Sequence, residues 1–191
     1  MGVGGEEMTR KRVWYPGARY HIMNRGNRKE KIFLEVADYK YYLALLAKCI
    51  CQYDFKIYGY CLMPNHLHLQ VKCGEAKTGE FMHFINANYA RYFNRKYDLV
   101  GHVFQGRYKA RWIQGFGYDL QVSRYIHLNP VEAGLVPAPE NYRWSSYYAY
   151  LDSRELPGDH LVSPELILEG FAKAGGEPLE KYLAYVNGEG R

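Results

Sequence analysis

Residues 55–72 constrain the fold more than any other stretch, because they read as two β-strands joined by a two-residue turn. Phe55 to Leu62 is aromatic and β-branched, and Pro64-Asn65 supplies a tight turn with proline at its favoured second position. His66 to Lys72 then alternates, with Leu67, Leu69 and Val71 on one face and His66, His68, Gln70 and Lys72 on the other. A hairpin of this kind belongs to an antiparallel sheet and needs a helix layer over its apolar face. The flanks supply that layer twice. Upstream, Arg19 to Arg25 alternates around Tyr20 and Ile22 and ends at Gly26-Asn27. Asp38 then caps a helix whose Tyr39, Tyr42, Leu43, Leu46 and Ile50 fall at helical spacing. Downstream, Thr78 opens a helix with Phe81, Phe84, Ile85, Asn88 and Tyr92 on one stripe, and Arg107 to Ile113 forms a last strand. The order β-α-β-β-α-β predicts an α+β fold of the ferredoxin-like type, an antiparallel sheet with helices on one face. A third helix is expected from about Tyr118 until Pro130 forbids its continuation.

Charge divides the chain unevenly. Residues 151–191 carry eight acidic and four basic side chains, whereas residues 1–150 carry 21 basic against 12 acidic, a surplus of +9. We read residues 15–150 as the functional domain, residues 1–14 as a flexible leader and residues 151–191 as an acidic, helical appendage. A basic body suits a polyanion, most often a nucleic acid, although such a surface also serves solubility alone. Cys49, Cys51, Cys61 and Cys73 show no zinc-finger or CxxC spacing and sit where cysteine is usually a small buried hydrophobe. The longest apolar run, Tyr41 to Ala47, is far too short to span a bilayer. These features predict a soluble protein of a reducing, cytoplasmic compartment, with no membrane partner.

Two clusters carry chemistry. Side chains two apart on one strand face stand about 6–7 Å apart at Cα, so His66 and His68 can converge on one metal ion. The same spacing equally suits two hydrogen-bonded histidines on an exposed sheet face. In Ser123-Arg124-Tyr125-Ile126-His127-Leu128-Asn129-Pro130, Tyr125 and Asn129 are four apart and project from one side of a helix. An amide there can offer an oxygen to the ion that the tyrosine must approach. A phenol, ordinarily ionising near pH ~10, is a poor nucleophile at neutral pH and gains from a cation on its phosphate target. Composition singles out none of the 20 tyrosines.

A resemblance does. Tyr20-His21, Arg25-Gly26-Asn27, the run Tyr60-Cys61-Leu62-Met63-Pro64-Asn65-His66-Leu67-His68, the run from Gly101 to Lys109, the segment from Ser123 to Pro130, and Trp144-Ser145-Ser146-Tyr147 follow one another over roughly residues 15–150. Together they resemble the HUH single-tyrosine transposases, the IS200-like family, and within it the branch associated with repetitive extragenic palindromes (REP). The resemblance implies an enzyme that cuts single-stranded DNA beside a hairpin, forming a 5′-phosphotyrosine and freeing a 3′-hydroxyl. It implies Tyr125 as nucleophile and His66, His68 and Asn129 as ligands of Mg²⁺ or Mn²⁺, with no nucleotide cofactor. Imidazole ligands favour Mn²⁺ of the two.

The implied partners are single-stranded DNA and DNA hairpins, bound by a monomer or a homodimer. Candidate phosphate contacts are Arg25, Arg28 and Lys29 after the first strand, Arg91 and Arg95 on the second helix, and Arg107, Lys109 and Arg111 on one face of the last strand. Tyr108 and Trp112 are candidate stacking platforms for unpaired bases. His21 and His127 either support the site or fill space. Two other functions are consistent with these residues: a non-catalytic hairpin-binding protein, and a hydrolase of small phosphoesters.

Overall fold

The computed structural model describes residues 14–151, 161–172 and 177–188, so nearly all of the expected leader lies outside the described residues. Strands β1 (Arg19–Arg25), β2 (Phe55–Met63), β3 (His66–Cys73) and β4 (Lys109–Ile113) form one antiparallel sheet in the order β2-β3-β1-β4. The long helices α1 (Val36–Gln52) and α2 (Thr78–Tyr97) cover one face. That face is where alternation sends Leu67, Leu69 and Val71, which meet Tyr42, Leu46, Phe81, Ile85 and Tyr89 in the main core. The expected ferredoxin-like arrangement is present, and the histidine strand is central.

Helix α3 (Phe116–Glu132) crosses the opposite face. Behind it α4 (Glu165–Ala172) and α5 (Pro178–Asn187) share a second core with Tyr58, Tyr147 and Tyr150. Among the described residues no helix is long and apolar enough to cross a membrane.

Local physics moves several boundaries. Asp38 lies inside the first turn of α1 rather than capping it; Glu35 is the cap, and the two side chains form a reciprocal capping box. Pro130 lies within α3, which runs on to Glu132. So close to the helix end its missing N–H costs a single bond, and the Leu135 amide folds back onto the Pro130 carbonyl. The last strand is shorter than expected. Gly26 bridges Phe104, the Gln105 amide bonds Arg25, and the ladder resumes only at Met23–Lys109. Residues 106–108 therefore loop out, and Arg107 is not on the strand. Cys51 is exposed, unlike the other three cysteines. Tyr108 and Trp112 are not free platforms. Tyr108 is buried with its hydroxyl 2.9 Å from Thr78 Oγ1, and Trp112 sits beside Tyr20 on the α1/α2 side of the sheet.

Asp38 ties α1 to the end of α2. Its carboxylate accepts from the Leu34 and Glu35 amides, the Tyr92 and Tyr97 hydroxyls and the Lys96 ammonium, at 2.6–3.0 Å. Burial alone would raise its pKa, but Lys96, Tyr97 and the two amides outweigh that and hold it below the usual carboxylate range. Asp38→Ala should cost roughly 3 kcal/mol in a denaturant titration, because buried donors lose their acceptor. A group held below its unfolded pKa contributes stability above that value. The difference between wild type and variant should therefore shrink as pH falls below about 4.

Candidate active site

The sheet register decides which side chains share the face beneath α3. Arg25 pairs with His66, Met23 with both His68 and Lys109, and His21 with both Gln70 and Arg111. Directly opposed residues point the same way, so two histidines, a third from β1 and three cations all face α3. The helix is pinned there at its start and near its end. Asp119 meets Arg19 at 2.7 Å and accepts from Gln70 at 3.1 Å, while Asn129 reaches His66. Gln70 had no expected task; its place on the histidine face was the available signal.

The metal question turns on His66. Its Nδ1 lies 2.7 Å from Asn65 Oδ1 and its Nε2 lies 3.1 Å from Asn129 Oδ1. Both amide oxygens accept, so a neutral ring, with one N–H, leaves one of these contacts with no proton between two lone pairs. Only an imidazolium would satisfy both, and burial lowers the His66 pKa by more than the Asn129 contact raises it, with a lesser downward push from Arg25. A cation held between Nε2 and Oδ1 would remove the conflict. The edge of an octahedron with metal–ligand bonds of about 2.1 Å is about 3.0 Å, close to the observed separation.

His68 completes the set. Its Nε2 is 3.5 Å from Asn129 Nδ2, the other end of the same amide, and its Nδ1 is 2.9 Å from His21 Nε2. The latter contact orients the ring and turns Nε2 toward Asn129, the arrangement in which an outer partner fixes a ligating imidazole. Two imidazoles and an amide oxygen would leave an octahedral ion open to phosphate and water. Among the described residues no group of three or more His, Cys, Asp or Glu gathers that could hold a metal ion.

Burial, then the neighbouring His21 and His66, push the His68 pKa down to about 2; burial and then Arg111 push His21 to about 4. His68 and His21 are therefore neutral well below neutral pH, His66 is shifted the same way by burial, and protons compete weakly for these nitrogens. Mn²⁺ affinity, followed by the EPR signal of the free ion, should stay nearly flat from about pH 8 to about pH 6.5. An ordinary histidine pair would already lose affinity across that range. A steep fall above pH 6.5 would contradict these environments.

Tyr125 stands over this set from the same chain. Its ring centroid is 5.2 Å from that of His68 and 5.8 Å from that of His21, and the residue is 41% exposed. It borders a cavity of about 530 Å³ with His66, His68, Arg25, Arg107 and Lys109. Looping out from the strand has swung Arg107 into that wall. A second groove of about 680 Å³, flanked by α2 and the 101–108 loop, shares Gly106 and Arg107 with the first.

The other cation candidates divide. Arg111 is exposed on the site face beside His21. Arg28 and Lys29 occupy an exposed turn after β1, outside the cavity wall. Arg91 and Arg95 lie on α2, in a separate groove with Tyr41 and Tyr92, and are not brought to the site. Asn65 and Gln105 were not anticipated. Asn65 stands beside His66 in sequence and was the more legible of the two.

Such a sheet, with paired histidines on its central strand and a tyrosine helix across them, has the architecture of the single-tyrosine transposase class. The family model described as "Transposase IS200 like" matches residues 15–129, and the chain belongs to that family. Among solved structures, one described as a REP-associated tyrosine transposase bound to a REP hairpin is 19% identical. It aligns over 82% of this chain and 93% of its own with a TM-score of 0.63, a likeness of fold. A putative transposase from Deinococcus radiodurans R1 is 16% identical over 62% of this chain and 95% of its own, with a TM-score of 0.43. No curated protein matches.

Proposed function

We propose that this protein is a metal-dependent single-strand DNA endonuclease and strand-transferase that acts beside DNA hairpins in the cytoplasm. The observation that carries the reading is the position of the Tyr125 phenol over His66, His68 and Asn129, in a cavity edged by Arg25, Arg107 and Lys109. In the proposed step the Tyr125 oxygen attacks a backbone phosphorus and the bond to the 3′-oxygen breaks. The phenol proton passes to solvent, and the departing oxygen becomes a free 3′-hydroxyl. The product is a 5′-phosphotyrosine, which conserves the linkage for rejoining or transfer. Mg²⁺ or Mn²⁺, held by the two imidazoles and the amide oxygen, would supply charge neutralisation on the phosphate. Arg25, Arg107 and Lys109 would hold flanking phosphates, with Arg111 at the margin.

The second groove, continuous with the first at Arg107, offers a path for the unpaired flank. Tyr125 lies over the histidines of its own chain, so the proposed attack is in cis, within a monomer or within each subunit of a homodimer. The structural neighbour's REP hairpin suggests palindromic repeats as the substrate class, and with it the REP-associated branch of the family.

The test is incubation with Mn²⁺ and single-stranded oligonucleotides that carry a hairpin, followed by denaturing electrophoresis. A covalent protein–DNA species plus a 3′-hydroxyl fragment is expected. Binding without that species would mark a non-catalytic hairpin-binding protein. Cleavage with turnover but no covalent species would mark a hydrolase.

A further inference from the structure

Tyr125 and Asn129 occupy one side of α3; Ser123 and His127, also four apart, occupy the other. That second side is engaged by α5. The Tyr182 hydroxyl lies 2.6 Å from Ser123 Oγ and 2.6 Å from His127 Nδ1. His127 Nε2 lies 2.9 Å from Ser146 Oγ, which accepts from the Tyr60 amide and donates to the Tyr60 carbonyl. With a neutral His127 every proton has one destination: Ser123 to Tyr182, Tyr182 to His127, His127 to Ser146, and Ser146 to strand β2. Ser123, His127, Ser146 and Tyr182 are all at most 1% exposed.

The same two elements are joined again nearby, where Arg124 Nε donates to the Tyr185 and Val186 carbonyls at the end of α5. Both carbonyls lie in the last turn of α5, where a helix runs short of intrahelical donors; among the described residues Tyr185 otherwise accepts only a 3.3 Å bond from the Gly188 amide. At the far end of α3, Phe116 packs against Phe171 of α4.

We propose that α4 and α5 are the positioning element of the nucleophile helix, with the Tyr182 hydroxyl, acting through Ser123 and His127, setting the pose of Tyr125 and Asn129 over His66 and His68. The inference rests on the functional reading given above for those four residues. A packed apolar contact would hold α3 against the sheet, but it would tolerate a slide or a roll. A buried, directed hydrogen-bond chain has one low-energy arrangement, because any shift leaves a desolvated donor or acceptor unpaired. The residue that needs that precision is Asn129, whose oxygen must stay within ligand distance of a strand it does not belong to. Tyr182 and His127 are accordingly positioning residues rather than catalytic ones.

The decisive variants are Tyr182→Phe, which keeps the ring and removes the hydroxyl, and Arg124→Ala, which releases the α5 carbonyls without emptying the core. Two readouts need no cleavage: Mn²⁺ affinity by EPR, and amide hydrogen exchange over residues 116–132. Tyr182→Phe should weaken Mn²⁺ binding by about tenfold, the usual scale for loss of an outer support of a metal ligand, and should speed exchange in α3. Arg124→Ala should move both in the same direction by less. Asp38→Asn, destabilised at the far side of the sheet, should lose thermal stability with no change in Mn²⁺ affinity.

The inference is overturned when both folded variants keep wild-type Mn²⁺ affinity and wild-type exchange in α3. It is overturned equally when Asp38→Asn weakens Mn²⁺ as much as Tyr182→Phe does. Should Tyr182→Phe not fold, Arg124→Ala alone decides. Absence of a covalent species from the wild type would strike the proposed reaction and leave these two measurements to judge the positioning.

Discussion

Tyr125→Phe should bind hairpin-bearing DNA as the wild type does and form no covalent species with it. The change removes one oxygen from a ring that is 41% exposed, so no cavity opens and little stability is at stake. The proposed phosphate contacts of Arg25, Arg107 and Lys109 and the proposed donor set of His66, His68 and Asn129 are untouched. Only the attacking atom is missing. The expected loss in the rate of strand cleavage is at least about 10³-fold, measured in single turnover with Mn²⁺, because among the described residues that line the cavity Tyr125 alone carries a hydroxyl. His21 and His68 edge the ring but are poor stand-ins, since a phosphorylated imidazole would be labile and leave no stable adduct. Cleavage that persists in this variant at even a tenth of the wild-type rate would mean that water is the attacker, and the transferase reading would fall.

The parts of this arrangement that were legible in the sequence are those in which a short-range period carries the information. Alternation along His66 to Lys72 assigned both faces of β3, because a strand has only two faces and one set of residues was wholly apolar. The same rule placed β1 at its observed bounds. The order of periods was enough for the sheet topology, since a hairpin between two strand–helix units leaves few ways to close.

Where competing local interactions decide, the sequence misled. Asp38 has the chemistry of a cap and the position of a first-turn acid, and only its buried partners from α2 select the second role. Pro130 stops helices in general but not one that is already within a turn of its end. Arg107, Lys109 and Arg111 alternate perfectly on paper. The ladder breaks at Tyr108, whose ring is buried and whose hydroxyl lies 2.9 Å from Thr78 Oγ1.

Contacts far apart in the chain were not legible at all. Tyr182 meets His127 from 55 residues away, and no period links them. Likewise Arg91 and Arg95 looked like partners of Arg25 until the helix layer carried them to the other side of the sheet. Tyr125 itself was found through the resemblance, not through any physical distinction from the other tyrosines.

The contradiction at His66 leads to the other large effect. Its two nitrogens face two amide oxygens, and a neutral ring has one proton for both contacts. Removing the ring therefore removes a mismatched pair of contacts as well as a proposed ligand. His66→Ala should fold with a metal-free melting temperature close to that of the wild type, despite losing a half-buried side chain. The contrast appears when Mn²⁺ is added. A ligand that binds only the folded state at 100 times its dissociation constant stabilises by about 2.7 kcal/mol. For a chain of this size that is a rise of roughly 6–10 °C. The wild type should show such a rise and the variant almost none at the same Mn²⁺ concentration, with affinity down at least about 100-fold. Covalent capture of DNA should fall below detection, while hairpin binding in the absence of metal is retained, because the cations that hold phosphate are elsewhere. An Mn²⁺-induced rise of equal size in both proteins would place the ion away from His66, and the role assigned to Asn129 would go with it.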